Sequence, residues 1–161
     1  MKKMETYLNV LHYCFYKAHY KSQLFIKILN PFLLLFKIPV VKRKAEKEGV
    51  NLDEAVDQAF GDKNFGMSMM VAGGALWGGM TLFFFSLLLI INIPMMPKTY
   101  MAICFVLSAA ISYFFVFRDD KYLEYFEKYE KWSQAEKRKY GWLTVDFVII
   151  IFLLFYLGLT T

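Results

Sequence analysis

Three side chains near the N-terminus have the chemistry to ligate a metal or act as a nucleophile: His12, Cys14 and His19. Two histidines one helical turn apart can share an ion. Here they stand two turns apart, about 10 Å along a helix, and Cys14 projects in another direction. The spacing therefore argues against a shared metal. A Cys14–His19 pair lacks the third group that would orient an imidazole for nucleophilic work. There is no HExxH, no GxSxG, no phosphate-cradling glycine loop and no further histidine. The reading is a chain without cofactor, metal or catalytic centre, in which the two histidines sit among Tyr13, Tyr16 and Tyr20 at an interface.

Asp146 is the one acidic residue inside an apolar run near the C-terminus. An ionisable group within a membrane is costly and often functional. It lies four residues past Trp142, so either a gating role or a salt bridge to Arg118, Arg138 or Lys139 accounts for it. A second candidate is the run of small residues at Gly74, Ala75, Gly78 and Gly79. In lipid, burying apolar surface brings no net gain, so helices associate where small residues let backbones approach. The partner for this face is either Ser108 and Ser112, which have the same spacing, or the same helix of a second copy. With Thr81, these residues could line a narrow, weakly polar pore or simply make a tight helix contact.

Two charged and aromatic clusters remain. Lys42, Arg43 and Lys44, together with Lys137, Arg138 and Lys139, suit anionic headgroups, at about 1 kcal/mol per residue near a membrane surface. Lysines beside Tyr and Trp also suit an oligonucleotide, but the glutamates interleaved through 118–140 weaken that reading. Tyr122, Tyr125, Phe126, Tyr129 and Trp132 recur at helical spacing and form an aromatic stripe, a candidate docking face for a second subunit.

The elements that carry these residues follow from hydropathy. The chain is 58% hydrophobic and 19% aromatic, with net charge +5, which sets it outside the ordinary soluble class. Residues 66–92 and 99–117 contain no Asp, Glu, Lys or Arg, and 142–159 holds Asp146 alone. Each run is long enough to cross a hydrocarbon core of about 30 Å as a helix. Residues 24–41 are apolar but interrupted by Lys27, Pro31, Lys37 and Pro39, so they read as an interfacial or re-entrant segment. Residues 5–23 read as an amphipathic surface helix, 51–60 as a short helix capped by Asn51, and 118–140 as one amphipathic helix. The expected fold is all-α and polytopic, with three transmembrane helices. Its regions are an N-terminal interfacial and cytoplasmic part (1–64), a transmembrane hairpin (65–117), an amphipathic helix (118–141) and a final span (142–161).

Eleven Lys and Arg precede the first span and seven follow the second, against one in the loop between them. The positive-inside rule places the N-terminus in the cytoplasm and the C-terminus outside, as in a bacterial inner membrane. No cleavable signal peptide is visible, because Glu5, His12, Lys17 and Lys21 interrupt the would-be apolar core. The functional expectation is a non-enzymatic, homo-oligomeric pore or permeabilising protein, gated from its cytoplasmic helices. Two alternatives stay open: an anchoring or assembly subunit of a larger membrane complex, and a phage-defence effector gated by a nucleotide or oligonucleotide.

Overall fold

The computed structural model describes residues 2–29, 51–91 and 97–160, with isolated positions at 38, 39, 43, 47 and 49. Of the segment 24–41 read as interfacial or re-entrant, residues 30–37, 40 and 41 lie outside the described residues, as do Lys42, Lys44 and the turn at 92–96. Among the described residues the chain is helical and has no strand. Helix α1 is Lys2–Leu29, α2 is Leu52–Gly61 and α3 is Met67–Ile91. Helix α4, Pro97–Ser112, runs into a π-helical turn, Tyr113–Phe117, and a 3-10 turn, Arg118–Asp120. Helices α5, Lys121–Glu130, and α6, Gln134–Thr160, complete the order.

Three helical stretches are long and apolar enough to span a membrane, and they fall on the three apolar runs read from the sequence. Only 17%, 28% and 11% of their apolar windows are buried within the molecule. Most of their surface faces outward, as expected where hydrocarbon is the solvent and the backbone satisfies itself within each helix.

The chain divides into two units, Met1–Phe15 with Gly73–Thr161 and, separately, Tyr16–Ala72. In the second unit, the Tyr16 hydroxyl donates to the Gly61 carbonyl at 2.8 Å, and Tyr16 stacks on Tyr20. The Asp62 carboxylate accepts from the backbone of Asn64 at 2.7 Å, shaping the turn between α2 and α3. A side chain at Gly66 would run into the Asp62 carbonyl, so this turn requires glycine.

In the first unit the spans meet at specific places. The Trp77 indole N–H donates to the Phe105 carbonyl at 3.1 Å, and the two rings pack at 4.1 Å, joining α3 to α4. The Ser112 hydroxyl reaches the Met80 sulfur at 3.7 Å. Between α3 and α6, Gly79 faces Ile151 and Phe147. The tightest approach is at Gly158, where an added Cβ would lie 2.8 Å from Leu89 Cβ and 3.2 Å from the Ser86 carbonyl.

Two elements differ from the sequence reading. The single helix expected over 118–140 is broken, and α5 ends at Glu130. Ser133 and Glu136 form a capping box: the Ser133 N–H donates to the Glu136 carboxylate at 2.8 Å, and the Glu136 N–H donates to the Ser133 hydroxyl at 3.3 Å. That box starts a new helix which continues into the third span. Lys137 Nζ donates to the Glu130 carbonyl at 3.0 Å and closes the end of α5. The second difference is α1. Read as a surface helix, it is buried at all six positions from Leu8 to Tyr13. Its tyrosines and histidine look interfacial in sequence but bury by ring packing, each large ring bringing apolar area that outweighs its one polar tip.

The Gly158 crossing yields a test. Gly158→Ala is expected to lower stability by about 1–3 kcal/mol through overpacking at the crossing of α3 and α6. Gly141→Ala, where a Cβ meets nothing within 4 Å, is expected to be neutral or to stabilise by up to about 1 kcal/mol. Unfolding midpoints in detergent compare the two, and equal midpoints would contradict the crossing.

Candidate functional site

The second span leaves its helix at Phe117, and the last four carbonyls of a helix have no partner within it. Asn9 of α1 supplies one. Its Nδ2 donates to the Phe115 carbonyl at 2.9 Å and to the Glu5 carbonyl at 2.8 Å. Both partners are acceptors, which fixes the orientation of the amide. The bonded carbonyl lies within the π-helical turn, an element often found at functional positions. Beyond it, Asp119 and Asp120 take left-handed backbone angles, φ 58° and 51°, a conformation that Asp tolerates better than most residues.

One turn along α1, His12 is fully buried. Its ring packs against Phe117 at 5.2 Å, Phe126 at 5.3 Å and Tyr122 at 5.7 Å between centroids. Gly73 of α3 completes the wall. A Cβ there would stand 3.2 Å from the Phe117 ring and 4.0 Å from His12 Nε2. Among the described residues, neither imidazole nitrogen has a hydrogen-bond partner, nor does the Asn9 side-chain oxygen. Desolvation pushes the His12 ring down from 6.5 to about 3, so it is neutral at ordinary pH. Two residues on, burial pushes the Cys14 thiol up, opposed by a hydrogen bond with Thr144 of α6.

The aromatic stripe closes over the same stretch of α1. Tyr13 packs edge-on against Phe126 at 5.2 Å, Tyr129 at 5.5 Å and Trp132 at 6.0 Å. The Tyr125 hydroxyl donates to the Glu5 carboxylate at 3.2 Å, and that of Tyr129 to the Thr6 carbonyl at 3.3 Å. Lys121 lies 3.7 Å from Glu5. The stripe read as a docking face for another subunit is therefore occupied by the chain's own α1: Tyr122, Phe126 and Tyr129 are buried, while Tyr125 and Trp132 are half-buried.

The remaining sequence candidates separate. Ser108 and Ser112 are buried in the bundle, and Gly79 faces α6. Gly74 and Gly78 meet nothing within 4 Å and, with Ala75, lie exposed. The Thr81 hydroxyl donates to the Trp77 carbonyl at 3.0 Å. Asp146 is exposed. Arg118, one partner considered for it, instead pairs with Asp119 at 3.3 Å, and no ion pair reaches Asp146 among the described residues. Arg43, Arg138 and Lys139 are exposed, while Lys137 is half-buried. His19 lies in the second unit, where its Nδ1 is 3.1 Å from the Ser68 hydroxyl.

Asn9 was absent from the candidates read in sequence, and His12 appeared only as a weak metal ligand. The available signal was their spacing: Glu5, Asn9, His12 and Tyr13 share one face of a helix.

The burial of His12 sets a pH dependence. Unfolded, the ring binds a proton below about 6.5; docked, it does so only near 3. The undocked state therefore holds more protons between those values, and docking weakens as pH falls below about 6.5, by at most about 1.4 kcal/mol per pH unit. Among the described residues, Tyr122 is the other titratable ring packed on it. Hydrogen exchange of residues 8–13, corrected for intrinsic rates, is expected to accelerate from pH 6.5 to 5 in the native chain and not in His12→Phe. Protection independent of pH would contradict the buried ring. No family model matches this chain, and no curated protein or solved structure matches it either.

Proposed function

We propose that this chain is a non-enzymatic multi-pass protein of a bacterial-type inner membrane that self-associates through its first span and opens a permeation path. The observation that carries the reading is the empty space over Gly74 and Gly78. Within the first unit, Gly73, Gly79 and Gly158 are the glycines whose added Cβ would meet other helices among the described residues. A GxxxG pair left open on a lipid-facing helix is the arrangement that lets two backbones approach each other. Ser108 and Ser112, the alternative partner within the chain, are turned into the bundle, which favours a second copy for that face.

Orientation follows from charge. Eleven basic residues before the first span and seven after the second favour a cytoplasmic N-terminus, a cytoplasmic α5 and an external C-terminus. Helices α1 and α5 then form a cytoplasmic layer clamped to the end of span two through Asn9 and His12. A signal that loosens α1 would act directly on the π-helical turn. Exposed Arg138 and Lys139 suit anionic headgroups at that surface. The anchoring-subunit reading drew on an exposed aromatic stripe, and α1 covers that stripe.

Two measurements test the proposal. Gly78→Cys is expected to cross-link into dimers on mild oxidation in membranes. Gly74→Leu with Gly78→Leu is expected to reduce the oligomer to monomer in detergent and to cut potassium leak from proteoliposomes at least tenfold. A monomeric native protein with vesicles as tight as protein-free ones would overturn the reading.

A further inference from the structure

Five buried side-chain atoms have no hydrogen-bond partner among the described residues: Tyr100 Oη, Ser108 Oγ, Asn9 Oδ1 and both nitrogens of His12. They are not scattered. Tyr100, Cys104, Ser108 and Ser112 recur every fourth residue of the second span, and all four are buried in the bundle rather than turned to lipid. They trace a stripe about 18 Å long at 1.5 Å per residue. At its end stand Asn9, bonded to the Phe115 carbonyl, and His12, packed on Phe117.

Native interiors rarely leave polar atoms unpaired, and groups of them mark buried water. The two unpaired hydroxyls, of Tyr100 and Ser108, stand eight residues apart, about 12 Å along the helix, a gap that a short chain of waters bridges through bonds of about 2.8 Å. On the outward face of span one, by contrast, the Thr81 hydroxyl is already bonded to its own helix.

We propose that the Tyr100–Ser108–His12 stripe holds a file of water inside a single protomer and conducts protons along the second span. A proton passes by exchange of O–H bonds along the file. At His12 one ring nitrogen takes up the arriving proton while the other releases its own, so the ring ends neutral in the opposite tautomer, and rotation restores it. No other reactant is consumed. Packed dry against Phe117, Tyr122 and Phe126, the ring closes the path, and wetting of its two free nitrogens opens it. This path rests on the membrane-spanning reading but not on self-association.

The test uses the full chain in vesicles of phosphatidylethanolamine and phosphatidylglycerol, loaded with a pH-sensitive dye and polarised inside-negative with valinomycin. Native protein is expected to acidify the lumen faster than protein-free vesicles. The rate should persist, first order in protein, at loadings of at most one chain per vesicle. Ser108→Ala, which removes the hydroxyl and adds no bulk, is expected to slow it at least fivefold, and His12→Phe at least tenfold. Leu153→Ala on the exposed face of α6 is expected to leave it unchanged. A native rate equal to that of empty vesicles, or one untouched by Ser108→Ala and His12→Phe, overturns the path. A rate that vanishes at single-chain loading also overturns it and assigns conduction to the assembly of copies.

Discussion

The first unit depends on how span two ends. A helix leaving an apolar medium must place its last carbonyls on partners, because an unsatisfied backbone group there costs several kcal/mol. The Asn9 amide meets that need at Phe115 with a bond from another part of the chain. The same bond draws α1 into the bundle. Once Asn9 is placed, His12 and Tyr13 follow on the same helical face; His12 recruits rings from the π-helical turn and α5, and Tyr13 from α5. Helix α5 then lies where its stripe covers α1, and the break at 131–133 follows, because α6 must turn away to enter the third span. Burial of the apolar tyrosine and leucine faces adds about 1.5–3 kcal/mol for each side chain fully removed from water. That burial holds the layer together, while the amide bond decides where it sits.

The parts of this arrangement legible in sequence are those imposed by a uniform solvent. A bilayer demands length and an absence of charge, and both can be read residue by residue at 66–92, 99–117 and 142–159. Partner choice cannot be read that way. The stripe Tyr122–Tyr125–Phe126–Tyr129 announces that one face of a helix will be covered, and nothing local says by what. Helix α1 carried the answer in a form that resembles a membrane-surface helix, since tyrosine, histidine and lysine occur in both settings. The break between α5 and α6 was legible: Ser133 and Glu136 have capping-box spacing, and the continuous charge pattern around them concealed it.

The glycines show the same limit more sharply. Seven residues, from Gly73 to Gly79, contain four glycines, and sequence treats them as one small-residue face. In three dimensions they divide by direction. Gly73 admits Phe117 and His12, and Gly79 admits Ile151 and Phe147, whereas Gly74 and Gly78 look outward. A step of one residue rotates the side-chain direction by about 100° on a helix of 3.6 residues per turn, so adjacent glycines serve different neighbours. Gly158, isolated in sequence and without a motif, makes the closest approach between two spans of the first unit. Small residues permit contact; the course of the neighbouring helix decides which of them are used.

This division separates two kinds of surface on the same bundle. The outward glycine face of span one is small and apolar, and its nearby hydroxyl, on Thr81, is committed to the Trp77 carbonyl. Such a face can bind another helix, but it has little with which to solvate an ion. The inward face of span two is the reverse: hydroxyls, an amide and an imidazole, several of them without partners, in a place no second copy can reach. A group that would cost free energy in a dry interior is tolerated there if water or a proton occupies the site with it. The self-association proposed at the glycine face and the proton path proposed along span two therefore draw on different residues. A bundle that buries its polar groups and exposes its glycines can change its oligomeric state without rebuilding the interior of any one copy.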